Sequence, residues 1–395
     1  MTIYMDGHAT TRVDPRVIEA MVPFFEEHFG NASSRHHRFG WTARDAVAAA
    51  RADVAALVGS SARELVFTSG ATESNNLAIK GGADAERSAG NHVVTVETEH
   101  RAVLDPCAAL ERQGLRVTYL PVRDDGLLET DTLVSALTPE TILVSVMAAN
   151  NEIGVLHPVG ELARVARAAG ARFHTDAAQA VGRIHLDVSA DPIDLVSLTA
   201  HKLHGPKGIG ALFVRDGLEL TPLVEGGGHE TGLRSGTLNV PAIVGFGKAA
   251  RIGLDGMAEE SARLAALRDR LADGLRGALD GVHVNGSMEA RLPHNLNVSF
   301  EGVSGEQLLT GLTDVAVSSG AACTTTSSGP SHVLRALGLS STLSKASLRF
   351  GLGRFNTADE VDSVVELVRT LVIRLRAPVE VFDLADESLP TGWSD

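Results

Sequence analysis

An alternation constrains this chain most. From about residue 60 to 215, apolar runs of strand length take turns with amphipathic stretches of helix length. Glu64–Thr68, His92–Val96, Leu115–Leu120, Ile142–Met147, Arg172–Thr175, Asp194–Leu198 and Gly210–Val214 read as strands. Helices are expected from Glu73 onward, over Arg101–Arg112 and over Glu161–Ala169, the last stopped by Gly170. The pattern predicts an α/β fold, a mostly parallel sheet with helices on both faces. In such sheets a ligand sits beyond the carboxyl ends of the strands.

After about residue 252 the pattern changes. A long Arg- and Leu-rich helix is expected over Ala262–Leu279, then short strands at Leu296–Phe300, Ala316–Ser318 and Leu348–Phe350, and a helix from Thr357 to about Arg376. This predicts a domain boundary near residue 255. No Pro- or Ser-rich linker marks it, so the domains are expected to share an interface. The acidic tail from Pro378 to Asp395 reads as a surface extension.

Composition removes several function classes. Lys and Arg number 35 against 49 Asp and Glu, a net charge of −14 over 395 residues. A chain that acidic is a poor partner for nucleic acid or anionic lipid, so direct nucleic-acid binding is not expected. With 44% hydrophobic residues it has enough apolar surface to offset chain entropy. No run approaches the ~20 apolar residues of a membrane helix. The opening residues lack a basic patch followed by an apolar stretch, so no secretion signal is expected. Two distant cysteines, Cys107 and Cys323, exclude a disulfide scaffold and a four-cysteine metal site. A cytoplasmic, reducing setting follows as the expectation.

Four motifs carry chemistry. Lys202 follows a strand end in Ser197-Leu-Thr-Ala-His-Lys202, where an amine is placed to form a Schiff base with an aldehyde. Asp176 stands just past an apolar strand, where a carboxylate needs a partner. The protonated ring nitrogen of pyridoxal phosphate (PLP) is one such partner; capping a following helix is the other reading. Gln179, three residues on, is placed to donate to the ring's phenolic oxygen. Ser69-Gly-Ala-Thr72 turns from a strand into a helix start, which suits a phosphate, with Thr72 adding a hydroxyl. His100 follows the next strand, where it can stack on a flat ring and shuttle a proton. His201 and His204 lack a third ligand, so no metal is expected. Cys107 reads as a small buried hydrophobe near a helix start.

In this order, the motifs resemble those of fold-type I PLP enzymes in the class V aminotransferase group, and within it the cysteine desulfurases of the type used in iron–sulfur assembly. The resemblance runs from Tyr4 to about residue 375. It is carried by Ala9-Thr-Thr11, Phe29-Gly-Asn31, Arg38-Phe-Gly40, Thr68-Ser-Gly-Ala-Thr-Glu-Ser74, Glu99-His100, Asn150-Asn-Glu-Ile-Gly154, Ala200-His-Lys202, Gly226-Gly-Gly-His-Glu230, Arg234-Ser-Gly-Thr237, Ser318-Ser-Gly-Ala-Ala-Cys323 and Arg349-Phe350.

The resemblance implies a large PLP-binding domain over 15–255 with a mostly parallel seven-stranded sheet. It implies a smaller α+β domain from 1–14 and 256–395 that carries the Cys323 loop. Lys202 would be the Schiff-base lysine, Asp176 the ring-nitrogen partner and Gln179 the phenolic-oxygen contact. His100 would stack on the ring. Ala71, Thr72, Thr199 and His201 would hold the phosphate, and Thr237 the phosphate of a neighbouring subunit, which implies a homodimer. Asn31, Asn151 and Arg349 would hold the carboxylate of L-cysteine, Arg through its bidentate fork. Cys323 would be the nucleophile, carrying a persulfide to a sulfur-acceptor protein, on a segment rich in small residues. Its length is that of the version that favours protein acceptors. The implied activity is conversion of L-cysteine to L-alanine, with sulfur passing to iron–sulfur assembly, tRNA thiolation or DNA sulfur modification. A selenocysteine lyase or another class V enzyme is the alternative. His8 and Ala321 depart from the pattern, and the role of His8 is open. The tail does not clearly match the end that docks iron–sulfur scaffolds.

Overall fold

The computed structural model describes residues 2–319 and 329–377. Strand β1 (Ile3–Tyr4) opens the chain. Seven strands follow: β2 (Leu65–Thr68), β3 (His92–Val96), β4 (Arg116–Leu120), β5 (Thr141–Ser145), β6 (Arg172–Asp176), β7 (Leu195–Thr199) and β8 (Gly210–Val214). They form one sheet in the order β2-β8-β7-β6-β5-β3-β4. All neighbours from β7 to β4 run parallel, while β8 is antiparallel to both β2 and β7. The expected mostly parallel sheet is therefore present. Strand β8 reverses because residues 200–209 return as a loop rather than as a helical crossover. The middle strands are buried on both faces, which is why they read as near-continuous apolar runs.

The last third adds β9 (Val282–Val284), β10 (Asn295–Phe300), β11 (Val315–Ala316), β12 (Ser318–Ser319) and β13 (Ser347–Gly351). Strands β12-β13-β10-β9 form a second, antiparallel sheet, and β11 pairs with β1. The single strand expected at Ala316–Ser318 is thus two. Val317 separates a parallel partner on one side from an antiparallel partner on the other, and the chain changes sheets there. The long helices lie at Met257–Ala278 and Ala358–Arg376. The second is started by a reciprocal cap. Glu360 N–H donates to Thr357 Oγ1 at 3.2 Å, and Thr357 N–H to the Glu360 carboxylate at 3.1 Å.

Two apolar cores result. One surrounds the large sheet and contains Phe67, Phe173, Phe213 and Phe246. The other joins Phe300 and Phe350 to Leu271 and Val364 on the long helices, and takes in Met5 from the chain's start. Among the described residues no helix is long and apolar enough to cross a membrane.

Backbone proximity near the site is seen at Gly210, the first residue of β8. An added Cβ there would lie 2.5 Å from the Leu198 carbonyl oxygen and 2.6 Å from Gly70 Cα. Gly277 is the opposite case, exposed in a helix with nothing within 4 Å of an added Cβ. Gly210→Ala is expected to lower the unfolding free energy by about 1–3 kcal/mol through overpacking. Gly277→Ala should raise it by roughly 0.5–1 kcal/mol through helix propensity. Urea midpoints of the two variants should move in opposite directions.

Candidate active site

A cavity of about 580 Å³ opens at the carboxyl ends of β6 and β7, within the usual range for a small-ligand site. Asp176 is the last residue of β6, and Thr199 the last of β7. His201 and Lys202 follow on the loop to β8. The Ser69–Thr72 turn leaves β2 for a helix that starts at Ala71, two residues before the expected Glu73. Gly70 makes that turn with φ +152°, a value glycine alone tolerates well. The Ala71 and Thr72 N–H groups come before the first helical bond, from Ser74 N–H to the Gly70 carbonyl at 3.1 Å.

The cavity gathers most of the residues expected from the sequence. Ala71, Thr72, His100, Asn151, Asp176, Gln179, Thr199, His201, Lys202 and Arg349 all line it. Asn31 and Thr237 do not; both are exposed, and Asn31 Oδ1 accepts instead from Ser33 N–H at 2.8 Å. Cys323, Ala321 and the tail from Pro378 lie outside the described residues.

The carboxylate of Asp176 is positioned from two sides. Oδ2 accepts from Asn75 Nδ2 at 2.7 Å and Oδ1 from Ala178 N–H at 2.9 Å. No helix follows it, so the helix-cap reading of Asp176 fails. Lys202 Nζ donates to the His8 carbonyl. Arg349, on β13, donates through Nη1 to the Asn151 carbonyl and through Nη2 to Asp6 Oδ1, each at 3.0 Å. His100 caps the helix Arg101–Arg112, its Nδ1 accepting from Ala102 N–H at 3.0 Å. Neutral His100 therefore carries its proton on Nε2. Burial lowers its pKa, with Lys202 and His332 adding to the effect and Asp176 opposing it.

His201 and His204 have separate tasks. His204 Nδ1 donates to the Arg12 carbonyl at 2.9 Å, and its Nε2 accepts from Arg354 N–H at 3.3 Å. Both ring nitrogens are thus occupied. His201 meets Thr10 Oγ1 at 3.2 Å, and burial beside Lys202 and Lys207 lowers its pKa to about 4. Cys107 lies within the helix rather than at its start and is fully buried; burial pushes its thiol up to about 12.

Several neighbours of the site carry no role from the sequence. His8, Thr10, Lys207 and Ser318 also line the cavity. His8 stands out in the sequence only as a departure of open role, Thr10 and Ser318 only as members of the motifs Ala9-Thr-Thr11 and Ser318-Ser-Gly-Ala-Ala-Cys323, and Lys207 not at all. The segment on either side of residues 320–328 is tied down here as well. Ser318 Oγ donates to Asp6 Oδ1 at 2.8 Å, Ser331 Oγ to the Glu152 carboxylate at 2.5 Å, and His332 Nε2 to the Glu99 carbonyl at 2.9 Å.

The comparisons with known proteins agree with this geometry. The family model "Aminotransferase class-V" matches residues 3–364. The cysteine desulfurase IscS of Anaeromyxobacter sp. (strain Fw109-5) is 56% identical, covering 98% of this chain and 96% of that one. The chain belongs to the cysteine desulfurase family of class V aminotransferases. A solved NifS-like protein superposes with a TM-score of 0.89 at 36% identity, covering 95% of this chain and all of that one. The structure of SspA in complex with cysteine superposes with a TM-score of 0.81 at 38% identity, covering 90% of this chain and 100% of that one.

The family depends on PLP, and the residues present fit it. The helix-start N–H groups with the Thr72 and Thr199 hydroxyls make an anion-binding end. An amine, Lys202, and a carboxylate, Asp176, face the same space. The close approach of Gly210 to Gly70 packs the anion-binding turn directly on the strand that follows the Lys202 loop.

Glu152 offers a test of the site's electrostatics. Burial raises its pKa to about 7, against the Ser331 bond and the Arg349 charge. Unfolded, a Glu titrates near 4.3. Between roughly pH 4.3 and 7 the folded protein holds a proton the unfolded chain has lost, so this group's contribution to stability falls as pH rises through that window. Glu152→Gln removes the dependence. Its stability relative to wild type should increase from pH 5 to pH 8 in urea titrations; an unchanged difference would refute the assignment.

Proposed function

We propose that this chain is a PLP-dependent cysteine desulfurase, a sulfurtransferase that converts L-cysteine to L-alanine and holds the sulfur as a persulfide on Cys323. One observation carries the reading. Lys202, Asp176, His100 and Arg349 share one cavity, and both flanks of the Cys323 segment are fastened beside it.

When bound, PLP supplies an electron sink for the substrate's α-carbon. Asp176, Gln179, Ala71, Thr72, Thr199 and His201 would hold it, with His100 against its ring. Arg349 and Asn151 bind the substrate carboxylate, a job the bidentate guanidinium suits. Asp6 keeps the Arg349 fork aimed. Lys202 Nζ takes the α-proton and returns it. The Cys323 thiolate then attacks the substrate sulfur. An S–S bond forms, the C–S bond breaks, and its electron pair stays with the carbon fragment, which is protonated and leaves as alanine. His100, with its proton on Nε2, is the donor beside that sulfur.

The same reading includes a homodimer in which Thr237 and Asn31, both exposed in one subunit, serve a shared site. It includes the division into a domain over 15–255 and a smaller one from 1–14 and 256–395. It sets the enzyme in the reducing cytoplasm and names a protein acceptor. The similarity to IscS proteins favours iron–sulfur assembly over tRNA thiolation or DNA sulfur modification.

The deciding experiment is intact-protein mass after exposure to L-cysteine, with the modified peptide mapped and alanine assayed. One added sulfur on the Cys323 peptide is expected, with alanine in solution. Lys202→Ala should abolish turnover. Cys323→Ser should still bind PLP and cysteine yet carry no persulfide. Sulfide release by Cys323→Ser at the wild-type rate would overturn the nucleophile assignment.

A further inference from the structure

We propose that His8 is a positioning residue that fixes which end of the Gln179 amide faces the cavity, as the last link of a one-directional hydrogen-bond relay from Arg291. The inference deepens the functional reading, on which it rests, by giving Gln179 its donor role.

The relay is forced by single-role partners. Arg291 is buried and a guanidinium can only donate. Its Nη1 donates to Asn295 Oδ1 at 3.2 Å, while Nε holds the Ser287 carbonyl at 2.8 Å. The Asn295 oxygen therefore faces Arg291, and its Nδ2 faces the other way. There Nδ2 reaches the Glu152 carbonyl at 3.2 Å and His8 Nε2 at 3.1 Å. A carbonyl only accepts, so the Asn295 orientation is set twice. His8 Nε2 must then accept, which puts the proton of the neutral ring on Nδ1. That Nδ1–H donates to Gln179 Oε1 at 3.0 Å. With its oxygen engaged, Gln179 turns Nε2 toward the His8 carbonyl at 3.1 Å and keeps one N–H for the cavity it lines.

The surroundings maintain this polarity. Burial lowers the His8 pKa to about 3, and Arg349, Lys202 and Arg183 press the same way while the Gln179 bond opposes. The ring stays neutral across working pH. His294 packs on it with ring centroids 4.5 Å apart. Two glycines leave the space. An added Cβ at Gly351 would lie 2.7 Å from His8 Cδ2, and one at Gly154 would lie 2.4 Å from the Asn295 side chain.

A site that can only donate at Gln179 selects an acceptor there and favours it as an anion. For PLP that acceptor would be the phenolic oxygen. Holding it anionic lowers the pH at which lysine-bound cofactor loses its imine proton, a change visible in the absorbance spectrum. The test is the pH titration of that band in the full-length holoenzyme. His8→Ala should raise the midpoint by roughly one pH unit, tenfold in proton affinity. His8→Asn, whose Nδ2 takes the place of the ring Nδ1, should return it toward wild type. Nitrogen-15 spectra of wild-type histidines should show His8 as the Nδ1–H tautomer from pH 6 to 9. A wild-type midpoint in His8→Ala, an Nε2–H tautomer or an imidazolium would each overturn the relay. Absence of a borohydride-sensitive band in the wild type would instead overturn the functional reading beneath it, whatever the tautomer.

Discussion

The stretch from Met5 to Asp14 holds the two cores at one place, and the cavity exists because of it. Met5 is buried in the smaller core, and its carbonyl accepts from Gly351 N–H at 2.7 Å. Gly7 N–H returns a bond to the Gly351 carbonyl at 2.8 Å. Further along, Thr11 N–H reaches the His201 carbonyl at 2.9 Å and Asp14 N–H the His204 carbonyl at 3.0 Å. One short segment is thus stitched to β13 at one end and to the Lys202 loop at the other. Gly7 permits the close pass, since an added Cβ would lie 2.9 Å from the Gly351 carbonyl oxygen. Asp6 and His8 sit between these anchors, so one touches Arg349 and the other Lys202 and Gln179.

That arrangement explains what the sequence reveals and what it hides. The alternation of runs makes the large sheet readable because β3, β5 and β7 are buried on both faces and must be apolar throughout. Lys202 and Asp176 are readable for a related reason: charged groups at the ends of apolar strands stand out. Element ends are less legible. The helix after β2 starts at Ala71, where Gly70 bends the backbone, rather than at the first acidic residue. The strand expected to reach Met147 ends at Ser145, because Met147 N–H is spent on the Glu99 side chain. The role of His8 is open in the sequence for a deeper reason. Its ring partner Asn295 is 287 residues away, and no local pattern announces a pairing made only by the fold.

The site also keeps its charged groups Asp176, Lys202 and Arg349 paired or hydrogen-bonded. Asp176 is held by neutral donors, whereas Arg349 is balanced by Asp6 at 3.0 Å. The buried carboxyls nearby, Glu99 and Glu152, are pushed by burial toward the neutral form. The cavity is thus lined by Arg349, Lys202 and Lys207 on the basic side and by Asp176 and Glu73 on the acidic side. Adding unpaired charges to such a space would carry a desolvation penalty that close hydrogen bonds could not fully offset. Neutral relays through Asn295, His8 and Gln179 avoid it.

The cavity-lining groups expected to hold the cofactor and the proposed sulfur carrier lie apart in the chain. Asp176 and Thr199 end strands, Ala71 and Thr72 start a helix, and His201 and Lys202 follow on the loop to β8. The proposed sulfur carrier lies on a segment of Gly, Ala, Ser and Thr, fastened at Ser318 and Ser331. Cys323 is five residues beyond Ser318. Asp6 also holds Arg349, and Glu152 follows Asn151, so the chain enters and leaves that segment beside groups that line the cavity.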